Sequence, residues 1–122
     1  MCIRDSTIDS PLTCNLEKDK TYKIPIAHAD GRYFADETVL KSLVQNDQIL
    51  FQYAHEDGRI DDLSNINGSC LNIAGICNLQ KNVCGIMPHP ERAAESELGN
   101  TDGRQILESL FVWISQYSMS IA

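Results

Sequence analysis

No apolar run in this chain approaches the roughly 20 residues that a membrane-spanning helix needs, and the opening Met-Cys-Ile-Arg-Asp-Ser has no apolar targeting stretch. No membrane partner is expected. Nor is there a block of Lys and Arg: 17 acidic against 10 basic residues leave a formal charge of -7. That balance opposes nucleic acid or an anionic membrane as the main partner, while leaving room for a local phosphate site. The five cysteines, at positions 2, 14, 70, 77 and 84, include no Cys-x-x-Cys pair. An odd count without close pairs weighs against a disulfide framework and favours a reducing cytoplasm. A Gly-rich phosphate cradle, a Walker-type lysine, internal repeats and low-complexity segments are absent too.

What is present is 122 residues, 43% of them apolar, enough for one globular unit or part of one. Residues 1–15 show no usable periodicity and read as turn or loop around Asp5, Asp9, Ser10 and Pro11. The first six residues are expected to form an unstructured, non-native head, and residues 7–122 a partial domain. From Tyr22 the apolar side chains alternate through Ile24 and Ile26, the strand period, with Pro25 limiting the pairing on one side. His28-Ala29-Asp30-Gly31 reads as a turn, with a short extended piece after it at Arg32-Tyr33-Phe34.

Asp36 is placed to cap a helix whose apolar stripe is Val39, Leu40, Leu43 and Val44, ended by Asn46 and Asp47. Ile49 to Tyr53 is rich in branched and aromatic residues and predicts a strand. Glu56 to Gly68 is polar and loop-like. Leu71–Cys77 and Val83–Met87 read as two buried strands, and their short connection predicts an antiparallel hairpin. The prolines of Pro88-His89-Pro90 break regular structure. A polar helix over Ala93–Leu98, closed by Gly99, is expected next. The strongest helix pattern comes last, with Ile106, Leu107, Leu110, Phe111 and Ile114 on one face toward the sheet, and Gln105, Glu108 and Ser109 nearer solvent.

His89 and Glu91 hold the clearest chemistry. They come after an apolar strand, and strand ends are where open α/β sheets place ligands. Two apart in extended chain, they point the same way, so the carboxylate can orient the imidazole as in the base half of a nucleophilic triad. On these residues alone the alternative is a histidine in a proline-rich turn and a glutamate capping the next helix. His55 also comes after an apolar strand, but no partner is identifiable for it. Cys70, Cys77, Cys84 and His89 could be read as metal ligands, yet zinc ligands usually come in close pairs flanking a turn. Buried structural thiols account better for the sevenfold cysteine spacing.

The segment Asn82-Val83-Cys84-Gly85-Ile86-Met87-Pro88-His89-Pro90-Glu91-Arg92-Ala93 resembles the end of the active site in the class I, or triad, glutamine amidotransferases. Its Pro-His-Pro-Glu-Arg form is similar to the small stand-alone glutaminase subunit of phosphoribosylformylglycinamidine synthase. Tyr22 to Tyr33 resembles that subunit's Pro-x-Ala-His-Gly-Glu-Gly-x-Tyr/Phe segment, and Asn67-Gly68-Ser69 with Ile73-Ala74-Gly75-Ile76 resembles its Asn-Gly-Ser and Ile-Ala-Gly-Ile segment. The resemblance runs in the family's order over about residues 7–118.

It implies an α/β chain forming the C-terminal half of a three-layer flavodoxin-like amidotransferase domain. It implies His89 as general base and Glu91 as the carboxylate that orients it. The nucleophilic cysteine of a Gly-x-Cys-x-Gly elbow, expected well before the segment aligned with residue 22, does not occur in this sequence, so the isolated chain is expected to be inactive.

His28, Asp30 and Gly31 would help form the glutamine pocket or a partner contact, with a plain structural turn as the alternative. Ala29 and Asp30 stand where the family has Gly and Glu. Arg92 would form an ion pair beside the site or touch the synthetase, the alternative being a solvated residue at a helix start. The implied partners are glutamine, the missing N-terminal half, and a synthetase subunit with or without a small accessory subunit. No cofactor is bound directly, because ATP and magnesium are handled by the synthetase. Two competing readings are another class I amidotransferase, including the single-chain form of the same enzyme, and a non-enzymatic remnant that binds a partner.

Overall fold

The computed structural model describes residues 2–25, 32–65, 68–94 and 101–121. Among them is an open antiparallel sheet of five strands: β1 (Cys2–Asp5), β2 (Thr21–Lys23), β3 (Ile49–Tyr53), β4 (Ile73–Cys77) and β5 (Cys84–Ile86), in the order β2-β1-β3-β4-β5. Among the described residues two α-helices accompany it, α1 (Glu37–Gln45) and α2 (Asp102–Ile121), giving a mixed α/β fold. No helix among the described residues is long and apolar enough to cross a membrane.

The expected unstructured head is corrected by the structure. Cys2–Asp5 is an interior strand, pairing with β2 on one side and β3 on the other. Ile3 is fully buried between Tyr22 and Tyr53 in the register, and burial alternates along the four residues. Asp5 is buried as well and accepts the Asp19 N–H at 3.0 Å; burial pushes its carboxyl above the usual range. A strand this short with one large apolar side chain has too few periods to be legible in sequence.

The helix at 37–45 forms as expected. Asp36 accepts the Val39 N–H at 2.9 Å and Asn46 ends the helix. Its apolar stripe is only half covered: Leu43 is buried and Leu40 packs against it, whereas Val39 and Val44 are exposed. Strand β3 has the expected bounds. The β4–β5 hairpin also forms, with Cys77 opposite Cys84. Its first strand starts later than Leu71, because Leu71 and Asn72 adopt left-handed φ of 53° and 58° within a 3₁₀ turn, Cys70–Asn72.

Register shifts between β3 and β4, at Ile49/Phe51 and Phe51/Gln52, break the strict alternation of both strands. Ile49, Ile73 and Ile76 therefore gather with Leu43 of α1, while Leu50, Phe51, Tyr53, Ala74 and Cys77 join the main core with Ile3, Tyr22, Ala93 and Ile106. The predicted strand at 22–26 is shorter than expected and ends at Lys23, and Arg32-Tyr33-Phe34 forms no strand. The polar helix expected at 93–98 lies mostly outside the described residues, which resume at 101; before it, Pro90–Ala93 forms a 3₁₀ turn.

The helix at the end of the chain is present, and the face it buries is the predicted one only in part: Ile106 joins the core as expected and Leu107 is half-buried, but the rest of the stripe is not covered. Gly103, Ile106 and Ser109 are buried, while Phe111 is 72% and Ile114 52% exposed. The reason is close approach through small residues. Ser109 Oγ accepts the Asn15 N–H at 3.0 Å and donates to Gln105 O, and Cys14 Sγ donates to the Ser109 carbonyl at 3.1 Å. Asp102 at the start of the helix accepts the Lys23 N–H at 2.8 Å, tying α2 to β2.

Candidate active site

Strand β5 delivers the chain to the Pro88–Glu91 turn. Met87 N–H still bonds to Ala74 O at 2.9 Å, and Pro88 is fully buried, so the turn leaves the sheet from a fixed base. His89 then donates its N–H to Pro25 O at 2.8 Å, and its carbonyl accepts the Arg92 N–H at 3.0 Å, which starts the 3₁₀ turn Pro90–Ala93. A proline at the first position of that turn has its φ already set.

The two predicted side chains meet. His89 Nδ1 lies 2.8 Å from Glu91 Oε1, with the side chains 35% and 61% exposed. The Glu91 carboxyl is held below its ordinary range, first by its own backbone N–H and then by the hydrogen bond from His89, with a smaller push from the charge of Arg92. It is therefore a carboxylate at neutral pH, able to accept an Nδ1 proton and leave Nε2 as the ring's working nitrogen. Arg92 itself is exposed. The Glu91 carboxylate turns back to the imidazole, and most of the helix that the alternative reading has it cap lies outside the described residues.

His89 and Glu91 stand at the edge of a cavity of about 860 Å³ whose walls include Cys84 and Ile86 of β5 and Leu110 and Ile114 of α2. The exposed apolar stripe of α2 thus borders the same space as the imidazole. A second cavity of about 670 Å³, between α1 and the 60–72 loop, holds none of the predicted site residues.

His28, Asp30 and Gly31 lie outside the described residues, although Pro25, three residues before His28, is already bonded to His89. His55, for which no partner is identifiable in sequence, has one: Nε2 is 2.7 Å from Asp61 Oδ1. Asp61 also accepts the Leu63 and Ser64 N–H groups, and its carboxyl is lowered first by the His55 bond. This second imidazole–carboxylate pair organises a loop and borders no part of the His89 cavity.

All five cysteines are free. Burial pushes the thiols of Cys14, Cys77 and Cys84 up, the opposite of an activated nucleophile. Among the described residues no group of three or more His, Cys, Asp or Glu is placed to hold a metal. Sequence reasoning misses Gly103. It packs on Pro90 at the centre of the turn, and a glycine inside the first turn of a strongly patterned helix is the signal that could have found it.

A family model for the CobB/CobQ-like glutamine amidotransferase domain matches residues 5–115. This chain belongs to that amidotransferase family. It is 46% identical over 114 residues to the phosphoribosylformylglycinamidine synthase subunit PurQ of Methanosarcina acetivorans, covering 93% of this chain and 49% of the relative. It is 51% identical over 108 residues to the PurQ subunit of Koribacter versatilis, covering 88% of this chain and 47% of that one. Among solved structures, a chain in the structure of PurLQS from Thermotoga maritima is similar at TM-score 0.72 and 33% identity, over 93% of this chain and 45% of that chain. The amidotransferase chain therefore spans about half the length of the relatives it matches.

Proposed function

We propose that this chain supplies the histidine and carboxylate side of a glutamine amidotransferase triad, and that the complete enzyme releases ammonia from glutamine for phosphoribosylformylglycinamidine synthase. The observation that carries the reading is the 2.8 Å contact between His89 Nδ1 and Glu91 Oε1 at the end of β5, beside an open cavity. The similarity to PurQ subunits at 46% and 51% identity supports the substrate class.

In the proposed reaction a cysteine thiolate on the half of the domain not contained in this sequence attacks the side-chain amide carbon of glutamine. His89 Nε2 takes the thiol proton and returns one to the departing ammonia, while Glu91 keeps the ring oriented and stabilises its protonated form. Water then hydrolyses the glutamyl thioester to glutamate, with His89 as base. Ammonia passes to a synthetase subunit, which uses ATP and magnesium to convert formylglycinamide ribonucleotide into the amidine. The match to a chain of the PurLQS structure supports such a partnership. A cytoplasmic setting remains part of this proposal.

The same reading makes this chain the C-terminal half of a three-layer flavodoxin-like domain, in keeping with coverage of 49% and 45% of the matched relatives. The N-terminal half would seat on the open side of the site, where edge strand β5 and the exposed stripe of α2 meet. His28, Asp30, Gly31 and Arg92 would contact glutamine or the synthetase. A second reading, a partner-binding remnant without glutaminase activity, is favoured by the lack of any Gly-x-Cys-x-Gly element in the sequence. Glutamate release on adding a nucleophile-bearing N-terminal segment separates the two: the remnant reading predicts none.

A further inference from the structure

Helix α2 meets the His89 turn through a residue with no side chain. Gly103, the second residue of α2, is buried, and a methyl group there would stand 2.1 Å from Pro90 O and 2.7 Å from Pro90 C and Cα. These are backbone atoms that cannot swing aside, so the present seating of the helix tolerates only hydrogen at this position. Pro90 is the residue between His89 and Glu91. The turn is thus held from two directions, by Pro25 O on the His89 N–H at 2.8 Å and by the start of α2 on the Pro90 peptide. The helix start is in turn anchored to β2 through Asp102 and the Lys23 N–H at 2.8 Å.

We propose that Gly103 is a positioning residue for the His89–Glu91 pair: it lets α2 bear directly on the Pro90 peptide, which sets the turn in which the Glu91 carboxylate reaches His89 Nδ1. The inference rests on the triad reading of that pair. A side chain at 103 would displace Pro90 and separate the groups on either side of it. The neutral imidazole would then no longer be fixed with its proton on Nδ1, and Nε2 would no longer be held ready as the base.

The test is nitrogen NMR of the His89 ring in the 122-residue chain, at a pH where the imidazole is neutral, with His89→Gln identifying the signal. The parent is expected to hold mainly the Nδ1–H tautomer. Glu91→Ala should move it to mainly Nε2–H, and Gly103→Ala should move it the same way, with Gly103→Ala adding nothing once Glu91→Ala is present. Ser109→Ala, which loosens the same helix at its contact with Asn15, should leave the tautomer alone. Should Gly103→Ala fail to fold by circular dichroism, Asp102→Ala releases the helix start without adding atoms and should shift the balance part-way.

A tautomer unchanged in folded Gly103→Ala, or in Asp102→Ala where that variant is needed, overturns the role of Gly103 while a shift in Glu91→Ala leaves the pair standing. No shift in Glu91→Ala overturns the pair itself, and the inference with it. A shift in Ser109→Ala equal to that in Gly103→Ala would mean that any loosening of α2 suffices, and also overturns it.

Discussion

Glu91 accepts from two donors, its own backbone N–H and the His89 ring, and both favour its charged form. Because the backbone bond is the larger cause, His89→Ala should raise the Glu91 pKa only part of the way back to an ordinary glutamate, as read by carboxyl carbon NMR. A lowered carboxyl contributes stability above its unfolded pKa and loses it as pH falls through the folded value. With the side chain 61% exposed that contribution is small. The three raised thiols, of which Cys77 is buried and Cys14 and Cys84 are partly so, behave in the opposite sense. Cys14, Cys77 and Cys84, all raised by burial, should alkylate more slowly at neutral pH than the same residues in the unfolded chain. Mass spectrometry of a timed iodoacetamide reaction would check this, and fast labelling of Cys84 would point to an activated thiol beside His89.

At the level of elements, legibility in the sequence depends on how many periods each signal contains. Asp36 with Val39, Leu40 and Leu43 states a cap and a stripe, and α1 forms with those bounds. Asp36→Ala should cost about 1 kcal/mol in urea unfolding, the usual size for a lost N-cap. The β4–β5 hairpin is legible from two apolar runs and a short polar connection. Strand β1 is not, because four residues with one large apolar side chain carry no period that a loop could not imitate. The shifts in β3 and β4 and the left-handed pair Leu71 and Asn72 depend on partners far along the chain, so local pattern does not announce them. In α2 only Ile106 of the expected stripe enters the core, and the contact with the fold runs through it together with Gly103 and Ser109. For the site, His89 and Glu91 are legible from motif and spacing, whereas the support from Pro25 and Gly103 needs three dimensions.

On the scale of the molecule, an edge strand, an apolar helix stripe and the His89–Glu91 pair proposed as catalytic all border one cavity. An open sheet edge beside exposed apolar surface favours association. Leu110→Asp with Ile114→Asp should leave the fold of this chain intact, since Leu110 is 38% and Ile114 52% exposed. The same pair should weaken binding of the proposed N-terminal half, made separately, by about tenfold or more, the scale of losing packed interface anchors; titration calorimetry against that segment would measure it. The decisive measurement for the proposed division of a triad between two pieces is glutamate release from glutamine, with this chain alone, with the segment of the Methanosarcina acetivorans relative that this chain does not match, and with both. Neither piece should release glutamate by itself, the two together should, and His89→Ala should lower that rate by about 10²–10⁴-fold, the range for removing a general base. Release by this chain alone, abolished by His89→Ala, would refute the divided triad and make one of its five cysteines the nucleophile.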